Sequence, residues 1–165
     1  MVVPALDVAP RDAIAAAAIE TWDTYAAPQA GFVEQCHFMQ LAGDSRGQSQ
    51  VLLRNAHGDK GLSLKFNVQQ LPCFTVWKNT QSLAEGYVTG LEPGVNFPNF
   101  RSYERGHQRL PIVAPGATRR HRFAWEFADD LAGVSRLCAQ ADQLHATGPA
   151  IVHAVPQPGW SPAGD

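Results

Sequence analysis

Apolar Leu62, Leu64, Phe66 and Val68 alternate with polar Ser63, Lys65 and Asn67, the period-two pattern of a strand with one buried face. Short runs on either side extend the pattern. Residues 32–41 and 50–55 predict strands, as do 72–79 and 86–91, which are rich in Phe, Val, Trp, Tyr and Thr. Residues 110–113 and 118–127 flank a Pro115-Gly116 turn, and Phe123, Trp125 and Phe127 alternate with smaller or polar neighbours in the second run. Residues 43–47 and 57–61 read as turns, residues 92–109 as an ordered loop crossing the sheet, and residues 151–155 as a final strand. Two segments carry a helical period instead. One lies near residues 12–25, capped by Asp12, with Ile14, Ala18 and Trp22 on one side and Pro28 ending it. The other spans residues 130–145, with Leu131, Val134, Leu137, Cys138, Ala141 and Leu144 on one face and Asp129 or Asp130 as cap. Many short strands joined by turns predict an all-β antiparallel sandwich with a short helix near each end.

Composition narrows the functional classes. The chain has 165 residues, 45% hydrophobic, enough for one domain with a core that needs no disulfide or metal. Residues 1–155 are expected to form that domain, and residues 156–165 a flexible tail. With 13 Lys+Arg against 15 Asp+Glu, the chain lacks the basic stripe of a nucleic-acid binder. Ala13 to Ile19 is too short and too rich in alanine to insert into a membrane, and no basic stretch precedes an apolar leader. Cys36, Cys73 and Cys138 are odd in number and widely spaced, which points to reduced thiols and a cytoplasmic location.

No dinucleotide-binding glycine loop, phosphate loop, nucleophile elbow or zinc-peptidase helix occurs, and the six histidines show no metal-ligand spacing. The exception is the segment from Tyr87 to Arg101, where Glu92 closes an apolar strand immediately before Pro93. A carboxylate there, with Asn96, Asn99 and Arg101 close in sequence, can bind polyol hydroxyls or move a proton. On composition alone, it reads first as a solvent-facing residue that ends a strand.

Leu91-Glu92-Pro93, Asn96-Phe97-Pro98-Asn99-Phe100, Leu110-Pro111 and Pro115-Gly116 follow one another before a strand rich in Phe and Trp. Upstream lie residues 31–38, Gly-Phe-Val-Glu-Gln-Cys-His-Phe, and residues 71–79, Leu-Pro-Cys-Phe-Thr-Val-Trp-Lys-Asn. This ordered set resembles the closing part of the aldose 1-epimerases, the galactose mutarotase-like family, and is most similar to an uncharacterised bacterial branch. The resemblance covers residues 10–127 and implies a β-sandwich, present here in partial form, that holds a monosaccharide or sugar derivative on its concave face without metal or cofactor. It implies acid–base ring opening: a base takes the anomeric hydroxyl proton, an acid protonates the ring oxygen, the C1–C2 bond rotates, and reclosure gives the other anomer.

Matched motif by motif, the resemblance makes Glu92 the base and Glu34 a ligand for sugar hydroxyls. Trp77 would stack on an apolar sugar face, and Lys78, Asn96 and Arg101 would contact hydroxyls or an anionic substituent. Read as strand residues alone, Trp77 belongs to a core, and Lys78 and Arg101 to a solvated rim. His37 shares the face of Gln35 and opposes Glu34 and Cys36, which makes it a surface or supporting residue rather than the acid. The histidine-bearing N-terminal half of the family has no counterpart in the chain. The expectation is a C-terminal fragment, or a protein that completes its sheet by self-association through open edges. The functions to weigh are anomer interconversion, a non-catalytic carbohydrate-binding or regulatory module, and a structural remnant without ligand.

Overall fold

The structure is a computed structural model that describes residues 1–145 and 148–165. Two sheets lie face to face, and a helix covers the far side of the smaller one. The strands are β1 (Ala5–Pro10), β2 (Gln35–Leu41), β3 (Gln48–Arg54), β4 (Gly61–Asn67), β5 (Cys73–Asn79), β6 (Val88–Gly94), β7 (Ala124–Ala128) and β8 (Ile151–Val152). The larger sheet holds five of them in the order β6-β5-β2-β1-β8, and the smaller holds β3-β4-β7. Neighbours pair antiparallel except β1 and β8, which run parallel.

Alternation builds the main core. Val8, Met39, Leu41, Phe74 and Val76 point from the larger sheet onto Val51, Leu64 and Phe66 of the smaller one. Phe66 and Phe74 stack across the interface with ring centres 5.7 Å apart. The odd–even split in β4 read from sequence is therefore real: Leu64 and Phe66 are buried inward, while Ser63 and Lys65 lie on the face beneath helix α3 (Leu131–Asp142). Val134, Leu137 and Ala141 of α3 are buried, Val134 and Leu137 against Leu52. The Gln50 amide donates 2.8 Å to the Leu137 carbonyl, and Glu126 pairs with both Lys65 and Arg136. The cap of α3 is Asp130, whose carboxylate accepts from the Gly133 amide.

The expectation of an all-β fold is overturned. The chain is mixed α/β, with 17% helix and 30% strand in two sheets, neither closed nor curled. Helix α3 forms a third layer, and the segment expected to be a crossing loop contains helix α2 (Arg101–Gly106). Near residues 12–25 the helix shrinks to α1 (Ala13–Ala16) followed by a 3-10 turn at Ile19–Thr21. Asp12 caps it as expected, yet Ala15 and Ile19 are buried while Ile14 is exposed, so the Ile14–Ala18–Trp22 stripe is not the packed face. Residues 110–113 form no strand, and Ile112 is 96% exposed.

The C-terminal segment, residues 156–165, lies on the larger sheet: Trp160 lies against Phe97, and Ser161 is buried and hydrogen-bonds to the Arg11 carbonyl. A charged knot holds it there. Glu104, fully buried in α2, accepts two bonds from Arg109 and one from Asn99, while Arg109 and Asn99 also donate to the Gly159 and Trp160 carbonyls. Burial pushes the Glu104 carboxyl up, but the Arg109 and Asn99 hydrogen bonds outweigh it and hold the group below its ordinary value.

Candidate functional site

The outer face of the larger sheet divides into a covered part and an open part. Phe97, four residues after Pro93, folds back so that its ring stacks on Phe38 at 4.5 Å, and Trp160 covers Phe97. Beyond this plug the face is open, and the side chains there come from β6, β5 and β2 in register. Trp77 pairs with both Gly90 and Cys36, and Glu92 pairs with Thr75, so Cys36, Trp77, Gly90 and Glu92 all share the outer face. Glu34 joins them from just before β2, because its carboxylate accepts a 2.7 Å bond from the Trp77 indole.

Glu92 lies back along its own strand. A Cβ built on Gly90 would fall 2.2 Å from the Glu92 carboxylate, so the missing side chain at position 90 is what makes room for it. Desolvation against the sheet raises the Glu92 carboxyl above its ordinary value. Cys36, within β2 and two residues after Glu34, is buried. Burial pushes its thiol up to about 11, with nearby Arg11 pulling the other way and the Glu34 and Glu92 charges reinforcing the rise. It stays a neutral thiol at physiological pH.

Arg11 is the site residue that the sequence reading missed. Its backbone amide bonds to the Cys36 carbonyl, one guanidinium nitrogen lies 3.2 Å from the Cys36 sulfur and 3.5 Å from Glu34, and Nε bonds to Asp12. A signal was present: Asp7, Ala9 and Arg11 keep the two-residue spacing of β1, although the helical period near residues 12–25 begins right after Arg11. Arg11 also borders a cleft of about 380 Å³ whose other walls include Asp12, Pro98, Asn99 and the exposed Phe100.

The other expected ligands are not brought to this patch. Lys78 points to the opposite, buried face and donates to the Thr21 and Thr24 carbonyls, closing the 3-10 turn over the core. Burial lowers its ammonium to about 8. Asn96 turns its amide onto the Phe97 carbonyl, and Arg101 is exposed at the start of α2. His37 does oppose Glu34 and Cys36, as alternation requires, but it is wholly buried rather than at the surface. Its ring faces the Ala15 carbonyl, and burial, aided by Lys78, lowers it to about 4. Trp77 is half-buried, partly packed on the Phe38–Phe97 cluster and partly open over Gly90.

The patch therefore offers carboxylate acceptors from Glu34 and Glu92, guanidinium donors from Arg11, and an indole between them. That set suits a ligand with many hydroxyls and one apolar face, and the raised Glu92 carboxyl can exchange a proton closer to neutrality than an ordinary carboxylate. Among the described residues, no group of three or more His, Cys, Asp or Glu could hold a metal ion, and no helix is long and apolar enough to cross a membrane.

Comparison with curated proteins gives no match. Among solved structures, a protein proposed to be an aldose 1-epimerase, from Klebsiella pneumoniae subsp. pneumoniae MGH 78578, is similar over 93% of this chain at 30% identity and a TM-score of 0.89. The chain spans 40% of the length of that protein. Residues 1–127, which include every strand from β1 to β6 and all of the open patch, match the family described as a domain of unknown function, DUF4432. The chain belongs to the DUF4432 family.

Proposed function

We propose that the open patch binds a monosaccharide or sugar derivative and that Glu92 serves there as the base of an aldose 1-epimerase-like reaction. The observation that carries the reading is the convergence of Glu34, Trp77 and Glu92 on one open face, with Gly90 leaving room for the Glu92 carboxylate. The likeness to the Klebsiella protein supports it. In the proposed reaction the Glu92 carboxylate takes the proton from the anomeric hydroxyl, and the electron pair left on that oxygen forms the aldehyde as the C1–O5 bond breaks. The ring oxygen takes a proton from an acid. Rotation about C1–C2 and reclosure return both protons and give the other anomer. Arg11 and the Trp77 indole hold Glu34 for ligand hydroxyls.

The second reading, a non-catalytic carbohydrate-binding module, has its own support. His37 is buried on the opposite face, and Cys36 is a high-pKa thiol. His153, bonded to Asp7 on the outer face, belongs to the β8 edge, four strand spacings from Glu92 and so roughly 19 Å away. None of these three groups is a ready proton donor beside Glu92. NMR exchange spectroscopy on α-glucose and α-galactose, comparing the chain with Glu92→Gln, separates the two. Exchange accelerated by the chain and lost in the variant supports the enzyme, saturable binding without acceleration supports the module, and absence of binding sinks both. The three free cysteines fit a reducing, cytoplasmic setting for either.

A further inference from the structure

Strand β7 is an edge of the smaller sheet: it pairs with β4 on one side, and no described strand pairs with the other. Natural edges are usually blunted by charges, proline or a bulge. This one instead presents Trp125 and Phe127 along one face, 56% and 76% exposed, with Phe123, 49% exposed, immediately before the strand. Trp125 and Phe127 share the inward side with Leu64, which is buried directly opposite Trp125, so the cover from the larger sheet ends between β4 and β7. An aromatic row of this size, beside unpaired backbone groups, is an association surface.

The charges around it point to one occupant. Arg119, Arg120 and Arg122 precede the aromatic row and Asp129 and Asp130 follow it, all of them exposed. A parallel copy would set arginine against arginine. An antiparallel copy centred on Trp125 sets Phe123 against Phe127 of the partner subunit, and Trp125 against Trp125 of the partner subunit. It also sets Arg120 against Asp130 of the partner subunit, and His121 against Asp129 of the partner subunit. In that register Glu126, already neutralised by Lys65 and Arg136, faces Ala124 of the partner subunit rather than another carboxylate. We propose that β7 pairs antiparallel with β7 of a second copy about a two-fold axis at Trp125, joining two three-stranded sheets into one of six.

Sedimentation velocity on the chain across a wide concentration series tests this. The expected result is a species of twice the chain mass, whose dissociation constant rises with salt. Trp125→Lys places two ammonium groups opposite each other and should weaken the dimer by about tenfold or more, while far-UV circular dichroism stays unchanged because the side chain is exposed. A second measurement does not depend on that variant: Trp125→Cys should cross-link to its own copy on mild oxidation, and Ala124→Cys, which faces Glu126 instead, should not. A monomer at every concentration overturns the proposal. So does a dimer indifferent to Trp125→Lys, equal cross-linking of the two cysteine variants, or a dimer lost only on Val88→Lys at the β6 edge.

Discussion

The two faces of the five-stranded sheet are made by the same residues in alternation, yet they follow different rules. Inward, β2 and β5 present His37, Met39, Phe74, Val76 and Lys78, and even the two ionisable groups are buried, with carbonyl partners for both. Outward, one step along each strand, the same β2 and β5 present Cys36, Phe38, Thr75 and Trp77. Part of this face is plugged by Phe97 and Trp160, and the rest is left open beneath Glu34 and Glu92. Strand alternation decides which residues can share a face. What lies over that face decides whether a charge there is a structural partner or a reagent.

The largest expected effect lies inward. Phe74→Ala should cost about 3–5 kcal/mol in denaturant unfolding, because it empties the stack with Phe66 between the two sheets. A cost near that of an exposed substitution would mean the sheets are not held together there. Next comes the knot that holds the plug in place. Glu104→Ala leaves Arg109 and Asn99 without their shared carboxylate and should cost about 3 kcal/mol. The native Glu104 carboxyl lies below its ordinary value, so its contribution is complete above the ordinary carboxylate range and is lost as pH falls through the lowered native value. Unfolding midpoints on acidification should therefore fall more steeply in the parent chain than in Glu104→Ala.

Lys78 sharpens the comparison further, with the opposite sign. Its native ammonium titrates near 8 against an ordinary 10.5, so between those values the unfolded chain holds the extra proton and stability should rise with pH. Lys78→Met should flatten that rise, and an unchanged slope would place Lys78 in solvent. The smallest effect on stability is expected outward. Glu92→Gln should move the unfolding midpoint by no more than about 0.5 kcal/mol while removing any anomer exchange the chain supports. Because the Glu92 carboxyl is raised, that exchange should fade on acidification at a pH above the range of an ordinary glutamate. Gly90→Ala should reduce exchange without altering a reacting group, since the new methyl group displaces the carboxylate.

The strands that carry strong alternation were legible without coordinates. So was the shared side of Glu34 and Cys36 against His37, because a period of two needs no knowledge of the partner strand. Arg11 was legible only as the faint end of a two-residue spacing, since β1 is short, bulged near Ala5 and holds few of the residues that favour strands. The helical stripe at Ile14, Ala18 and Trp22 misled for a related reason: burial of Ala15 and Ile19 against the core outweighed the longer period.

By itself, then, the amino-acid sequence determined most of the strand segments, the cap at Asp12, a second cap at Asp129 or Asp130, and the set of side chains that could face together. Those features rest on local dihedral preference and on the two-residue repeat of an extended chain. Only the tertiary structure decided that Lys78 closes a core while Trp77 beside it steadies Glu34. It also decided that the C-terminal segment plugs the sheet, and that α3 makes the fold mixed rather than all-β. Each of these depends on which surfaces meet across long stretches of chain, and a burial or hydrogen bond between distant segments leaves no periodic trace in either one.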